Sequence, residues 1–447
     1  MTKIAFIGGG SLQWTPVLVT DMALNEALAG AELVLHDIDA DALDLLARAS
    51  RHIVTQAGDT LRISTTLNRR EALEGADFVI LCVAIGGLPA MRNDLEIPER
   101  YGIRQSVGDT VGPGGLARGL RHIPFAVQIA REMEQLCPDA WLLNLTNPMT
   151  TICRGVTRAT SIRTIGLCHE VTGLQYHLAF LLGIPPQAVT FEVAGINHLP
   201  VILRCDAGGR DGLMLLREWL AAHDPFEFAR EAELNNVFDV FVDRLALKLT
   251  LFEQLGILFG AGDRHVAEFL PNVLTEQTGW GRRYGILLTT VDQRVEMARV
   301  RRAQVEYLAG GGYQKLEKSA EQLAPVMAAL SGGPSGRFIV NVPNRGQVDN
   351  LPREAVVECV AEIDALGVRP LAVGALPPAA YVIVAPHVAR QELIVEAALS
   401  GERAPALAAL ATDPLVRDPA IAAPMLDELM KANAAYLQSG GAGPDSD

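Results

Sequence analysis

The strongest constraint on this chain lies in its first fourteen residues. Ile4-Ala5-Phe6-Ile7 is an apolar run of strand length, Gly8-Gly9-Gly10-Ser11 ends it, and helical spacing begins at Trp14. A strand, a glycine turn and a helix in this order bring bare backbone and a helix N-terminus up to a pyrophosphate. The pattern then repeats. Residues 32–37 read as a strand and 40–56 as a helix, and buried strands are expected at 78–83, 141–145 and 164–168. Such alternation predicts an α/β fold, a Rossmann-like doubly wound parallel sheet.

Beyond residue 190 the pattern is mixed. Strands are expected at 189–194, 199–204 and 337–342, and helices at 235–258, 291–308, 386–398 and 405–436. The expected organisation is an NAD-binding domain over 1–195 and an α+β substrate and metal domain over 196–438. Residues 439–447, rich in glycine and acid, form an expected disordered tail.

Charge narrows the partners. With 38 basic and 52 acidic side chains the formal net charge is -14, which disfavours nucleic acid and anionic membranes. No apolar run reaches membrane-spanning length, and no signal peptide fits ahead of the glycine turn. A cytoplasmic protein is expected, its six cysteines free thiols rather than a disulfide framework.

Several segments carry chemistry. Asp37 ends the second strand, where an acid accepts from both ribose hydroxyls and repels the extra phosphate of NADP. NAD is therefore the expected cofactor, with Gly8, Gly10, Ser11 and Asp37 around it. Gln13 occupies the last fingerprint position in place of glycine, and a glycine turn of an unrelated α/β protein is the competing reading. Cys168-His169 stands at a strand end and His198 follows in Gly195-Ile196-Asn197-His198. A thiolate and an imidazole can hold a divalent metal; a buried thiol and a satisfied histidine explain the same residues without one. Residues 107–115 are glycine-dense around Asp109, as suits close backbone approach to a ligand. Gly262-Asp263-Arg264-His265 sets three ionisable groups in a row, and Asn144 and Asn147 flank Thr146 ahead of Pro148. Solvated loops and turns are the plain alternative for these last segments.

In their order and spacing these segments, with Asn147-Pro148-Met149 and Asn341-Val342-Pro343-Asn344, resemble glycoside hydrolase family 4, the NAD- and metal-dependent glycosidases, over residues 3–435. That family is an exception to two-carboxylate glycoside hydrolysis. The resemblance implies oxidation of sugar C3 by NAD+, removal of the C2 proton, elimination of the aglycone, addition of water and re-reduction at C3, with a divalent metal, usually Mn2+, polarising the carbonyl.

The resemblance also implies roles. Cys168 and His198 would be metal ligands, Asn147 and Arg92 substrate contacts, His169 the acid, and Asp109 an acid that raises the basicity of the base. Cys168-His169-Glu170-Val171 resembles the branch acting on unphosphorylated α-glycosides (galactosides, glucosides, uronides) rather than the phospho-sugar branch with Cys-Asn-Ile-Pro. Asp263 is the expected C2 base and Tyr284 the alternative. Arg264 or Arg282 would hold an anionic, uronic or sulfonated substituent. A small-molecule glycoside is the expected partner, and a homodimer or homotetramer the expected assembly. An NAD-dependent dehydrogenase of the malate or lactate type, and a non-catalytic NAD-sensing protein, share the nucleotide unit. Neither explains the Cys-His and Asn-His segments together.

Overall fold

A computed structural model describes residues 1–230 and 232–438; the expected tail at 439–447 lies outside the described residues. The strands of the first half are β1 (Lys3–Ile7), β2 (Glu32–His36), β3 (Arg62–Thr66), β4 (Phe78–Leu81), β5 (Trp141–Asn144) and β6 (Arg163–Gly166). They run parallel in the spatial order β3-β2-β1-β4-β5-β6, the doubly wound order. Side chains alternate between two cores. Ile4 and Phe6 pack with Leu33 and Leu35 on one face, Ala5 and Ile7 with Val79 and Leu81 on the other. Both faces are apolar because helices cover both.

The second half continues this sheet rather than starting another. β7 (Val189–Ile196), β8 (Leu199–Ala207), β9 (Leu258–Phe259), β10 (Gly336–Pro343), β11 (Val356–Asp364) and β12 (Gly367–Pro370) are its strands. From β6 the order runs β10-β11-β7-β8-β9, antiparallel throughout, with β12 beside β11. The halves meet at one pair, Asn341 opposite Gly166. Residue 195, the expected domain boundary, falls inside β7. The long helix Pro378–Ser400 packs back on helices Gly112–Leu136 and Met149–Ala159 of the first half.

Three expected helices differ. The helix over 235–258 shrinks to Ala246–Leu255: Asp239 accepts from the Asn235 and Asn236 backbone in a turn, and Leu245 is left-handed at φ 62°. Pro386 lies inside helix Pro378–Ser400, and Pro378 occupies its first turn. Residues 405–436 form three helices, Arg403–Ala411, Ala422–Ala432 and Ala434–Gln438. No helix among the described residues is long and apolar enough to cross a membrane.

One buried ion pair fixes the first half's helices. Asp94, on helix Gly87–Arg100, accepts from both terminal nitrogens of Arg121 at 2.8 and 2.7 Å, with both side chains 1% exposed. Removing one partner leaves a buried, unpaired charge. Asp94→Ala is expected to cost about 3–5 kcal/mol in urea unfolding; a loss under about 1 kcal/mol, the value of a surface pair, would contradict this placement.

Candidate active site

The glycine turn lies flat across the ends of β2 and β4. Gly8 and Gly9 donate their N–H groups to the His36 carbonyl at 2.9 Å. Gly8 has φ 96°, and a Cβ there would sit 2.0 Å from the Cys82 carbonyl oxygen, so no other residue fits. Asp37 accepts from Gly10 N at 2.9 Å through one carboxylate oxygen and from Ile38 N at 2.8 Å through the other. Gly8, Gly10, Ser11 and Asp37 all line a cavity of about 1200 Å3. That volume exceeds a usual single-ligand pocket and suits a dinucleotide together with a sugar.

The cavity continues to the junction of the two sheet halves. The β7–β8 hairpin turns at Asn197-His198, with His198 left-handed at φ 66°. Asn197 donates to Glu358 on β11 at 3.1 Å, which holds the turn against the sheet. Across from it stands Asp109, whose loop is stacked on the start of helix Gly112–Leu136. A Cβ on Gly114 would lie 2.6 Å from the Gly108 carbonyl oxygen, and one on Gly115 would lie 2.4 Å from the Thr110 carbonyl carbon. These two glycines therefore admit the loop's own backbone rather than a ligand. Glu268 anchors the loop from below, accepting from Val107 N and Gly108 N at 2.7 and 2.9 Å.

Asp109, His198 and His265 offer ligand atoms within 4.8 Å of one another. Thr110 Oγ1 bonds His198 Nδ1 at 2.8 Å and donates to Asp109 at 2.7 Å, and Asn147 donates to the other Asp109 oxygen at 3.2 Å. The Asn147–Pro148 bond is cis. The two imidazoles stack at 3.8 Å between centroids. Burial, and then the His198 ring, push His265 down to about 3; burial also lowers His198. Both rings are thus neutral at physiological pH, the state a metal needs. His265 Nδ1 is buried without a hydrogen-bond partner. One carboxylate and two neutral imidazoles, with an unused ring nitrogen, fit a borderline-to-hard divalent cation.

Glu170 joins the segments. It accepts from Gly262 N at 2.7 Å and lies 3.7 Å from both His265 Nε2 and His169 Nε2. Burial would raise its pKa, but His265, His169 and His198 outweigh that and hold the carboxyl well below its usual range. Asp109 is held low in the same way, by His198, His265 and Arg118 against burial. His169 caps helix Glu170–Leu182 and pairs through Nδ1 with Glu321 at 2.9 Å. Burial would lower it, but the Glu321 bond and charge raise it to about 9, so it carries a proton.

The remaining expected residues divide. Cys168 lines the cavity but packs with Met149, Cys153 and Val356 and lies outside the group of three; burial pushes its thiol well up. Asp263 lines the cavity at 2% exposure, and its oxygens accept from Leu247 N at 2.8 Å and Lys248 N at 3.0 Å. It is rigidly held, with a second lone pair left on each oxygen. Tyr284 also lines the cavity.

Two expected substrate contacts, Arg92 and Arg282, lie outside the lining of the large cavity. Arg92 points to the surface, paired with Glu96 at 2.6 Å and Asp292 at 2.7 Å. Arg282 is exposed and borders a separate small pocket with Arg230 and Arg283. The cavity wall instead carries Arg118, Arg244, Arg264, Arg294 and Arg301. Motif reading missed His265 as a donor, although its segment was singled out, because neighbours in sequence cannot be ranked without the backbone turn. Glu170 was visible in the Cys-His-Glu-Val segment. Glu321 and Arg294 had no local signal.

Comparison with known proteins gives the family. Residues 3–184 match the family 4 glycosyl hydrolase model and residues 193–416 the family 4 glycosyl hydrolase C-terminal domain model. The α-galacturonidase of Bacillus subtilis (strain 168) is 36% identical over 427 residues, 93% of each chain. The crystal structure of lplD from Bacillus subtilis superposes with a TM-score of 0.89 at 34% identity, covering 96% of this chain and 99% of that one. A 6-phospho-α-glucosidase from gut microorganisms, in complex with NAD and Mn2+, shares the fold at a TM-score of 0.83 and 24% identity, covering 97% of this chain and 98% of that one. With both family models spanning most of its length, the chain belongs to the family 4 glycosyl hydrolases.

Proposed function

We propose that this enzyme hydrolyses α-galacturonides, using NAD+ and a divalent metal that are both restored in each turnover. The observation that carries the reading is the likeness to an α-galacturonidase over 93% of both chains. The charge pattern of the cavity supports it. Every acid in its wall is engaged by the protein's own donors: Asp37 and Asp263 by backbone, Asp109 by Thr110 and Asn147, Glu170 by Gly262, Asp243 by Lys248, and Glu321 by His169. The guanidinium groups of Arg118, Arg244, Arg264, Arg294 and Arg301 line the same space and offer an anionic sugar its partners.

The glycine turn and Asp37 would hold NAD+. His198 would hold the metal, with Cys168 as the sequence motif implies, and with Asp109 and His265 beside it. When bound, NAD+ supplies reversible oxidation of a sugar carbon and the metal supplies Lewis acidity, which together acidify the neighbouring C–H. Asn147 orients Asp109 and lies where sugar hydroxyls bind. Asp263, held rigid by two backbone bonds, takes the C2 proton; Tyr284 is the second candidate. His169, its Nδ1 tied to Glu321, presents Nε2 as the proton donor to the leaving oxygen. All six cysteines are free thiols, which suits a reducing compartment, and we place the enzyme in the cytoplasm.

A panel of nitrophenyl α-glycosides tests the substrate. Nitrophenol release should require NAD+ and Mn2+, leave no NADH accumulated, and favour the galacturonide over the galactoside by about tenfold or more in kcat/KM. Accumulating NADH without aglycone release would make the chain a dehydrogenase. Binding of Mn2+ tests the ligands separately. His198→Ala and Cys168→Ser are each expected to weaken it by about 10-fold or more. Unchanged binding in Cys168→Ser, with loss in His265→Ala, would move the metal to the group of Asp109, His198 and His265.

A further inference from the structure

Arg118, Arg244, Arg264, Arg294 and Arg301 line the cavity; Arg118 and Arg264 donate to the protein, and of the other three Arg294 alone has an Nε buried without a partner. It lies on helix Val291–Ala309, half-buried, with its Nε out of solvent and without a partner. No hydrogen bond or ion pair joins its guanidinium to any described residue. Arg264 stands across from it and is committed. Its terminal nitrogens donate to the Val240 carbonyl at 3.0 Å, the Ser106 carbonyl at 3.2 Å and Thr289 Oγ1 at 2.8 Å. Both guanidiniums lie over the Phe241 ring, Arg264 at 4.9 Å and Arg294 at 5.0 Å from its centroid.

An aromatic face stabilises one guanidinium by about 0.5–2 kcal/mol, but two like charges around one ring, partly out of water, repel. Burial and the Arg264 charge both push the Arg294 guanidinium down, to about 10, so it still carries its charge at neutral pH. A protein that keeps such a cation unpaired leaves it for an anion from outside. Arg294 lines the same cavity as Asp109, Arg118 and His198, and the charges of Asp109 and Arg118 reach it. Arg301, two turns further along the same helix and over Phe238 at 5.3 Å, feels only burial.

We propose that Arg294 is the residue that recognises the carboxylate of the substrate sugar, presented by Phe241 and backed by the fixed charge of Arg264. The proposal rests on the uronide reading given above. A planar guanidinium accepts a carboxylate with two parallel hydrogen bonds, and a neutral hydroxymethyl group at the same place leaves the cation unpaired. Arg294 is thereby a specificity residue: it adds binding for a uronide and penalises the matching hexoside.

The test compares wild type, Arg294→Gln and Arg294→Lys on nitrophenyl α-galacturonide and nitrophenyl α-galactoside. It also measures binding of free galacturonate, of galactose and of NAD+ by calorimetry. In Arg294→Gln, kcat/KM for the galacturonide should fall about 100-fold, that for the galactoside should change less than about threefold, and galacturonate binding should be lost with NAD+ binding intact. Arg294→Lys, which keeps the charge without the fork, should fall between the two. If Arg294→Gln does not fold, the lysine variant carries the same comparison. Equal loss on both substrates overturns the proposal, as does a galacturonide preference that survives the substitution. Loss of NAD+ affinity also overturns it and assigns the cation to the dinucleotide phosphates. A wild-type enzyme without uronide preference overturns the functional reading itself, whatever the variants do.

Discussion

The contact on which the rest depends is the meeting of a parallel and an antiparallel half-sheet at Gly166 and Asn341. Only glycine fits on the β6 side. A Cβ there would lie 2.8 Å from Met149 Cγ and 2.9 Å from Asn341 Cβ. Because the halves share one sheet, the loops after β1, β2, β4, β5 and β6 and the β7–β8 turn open onto one cavity. Binding at the carboxyl ends of parallel strands is the rule for open α/β sheets. Here the antiparallel half adds His198 and, through the loop after β9, Asp263 and His265 to the same mouth.

Electrostatics then sorts the groups in that mouth. Burial opposes the charge of Glu170 and Asp109, but both carboxyls are held low, Glu170 by His265, His169 and His198 and Asp109 by His198, His265 and Arg118, the histidines being charged at the acid pH where these carboxyls would titrate. His169 stays protonated because Glu321 takes its Nδ1, while His198 and His265, stacked on one another, stay neutral. One cavity therefore holds a charged imidazole able to donate a proton and neutral imidazoles able to bind a cation. The difference comes from neighbours rather than residue type. Arg294 is among the cations left over once these internal pairings are made, and its Nε is buried without a partner.

How much of this was legible in the sequence follows from how local each cause is. The glycine turn was readable because its requirement is set within a few residues, where Gly8 meets the Cys82 carbonyl. The helix at Ala40–Gln56 appeared with its bounds as expected, since Asp39 caps it through Asp41 N and Ala42 N. Asp109 and His198 were singled out from glycine-bearing turns and do meet. The glycines after Asp109 were read for the wrong reason, because nothing in a sequence distinguishes backbone packed on backbone from backbone packed on a ligand. Arg92 failed because its partner Asp292 lies 200 positions away. The continuity of the sheet was equally invisible, since it rests on a single pair across the β6–β10 junction.

The central claim is that a residue of this cavity removes a carbon-bound proton from the sugar, rather than assisting direct displacement at C1. Turnover of an α-galacturonide in heavy water, followed by mass spectrometry and NMR of the released galacturonate, tests that most directly. The account predicts one deuterium at C2 of the product. Complete hydrolysis with no deuterium at C2 would contradict it and return the enzyme to ordinary displacement chemistry.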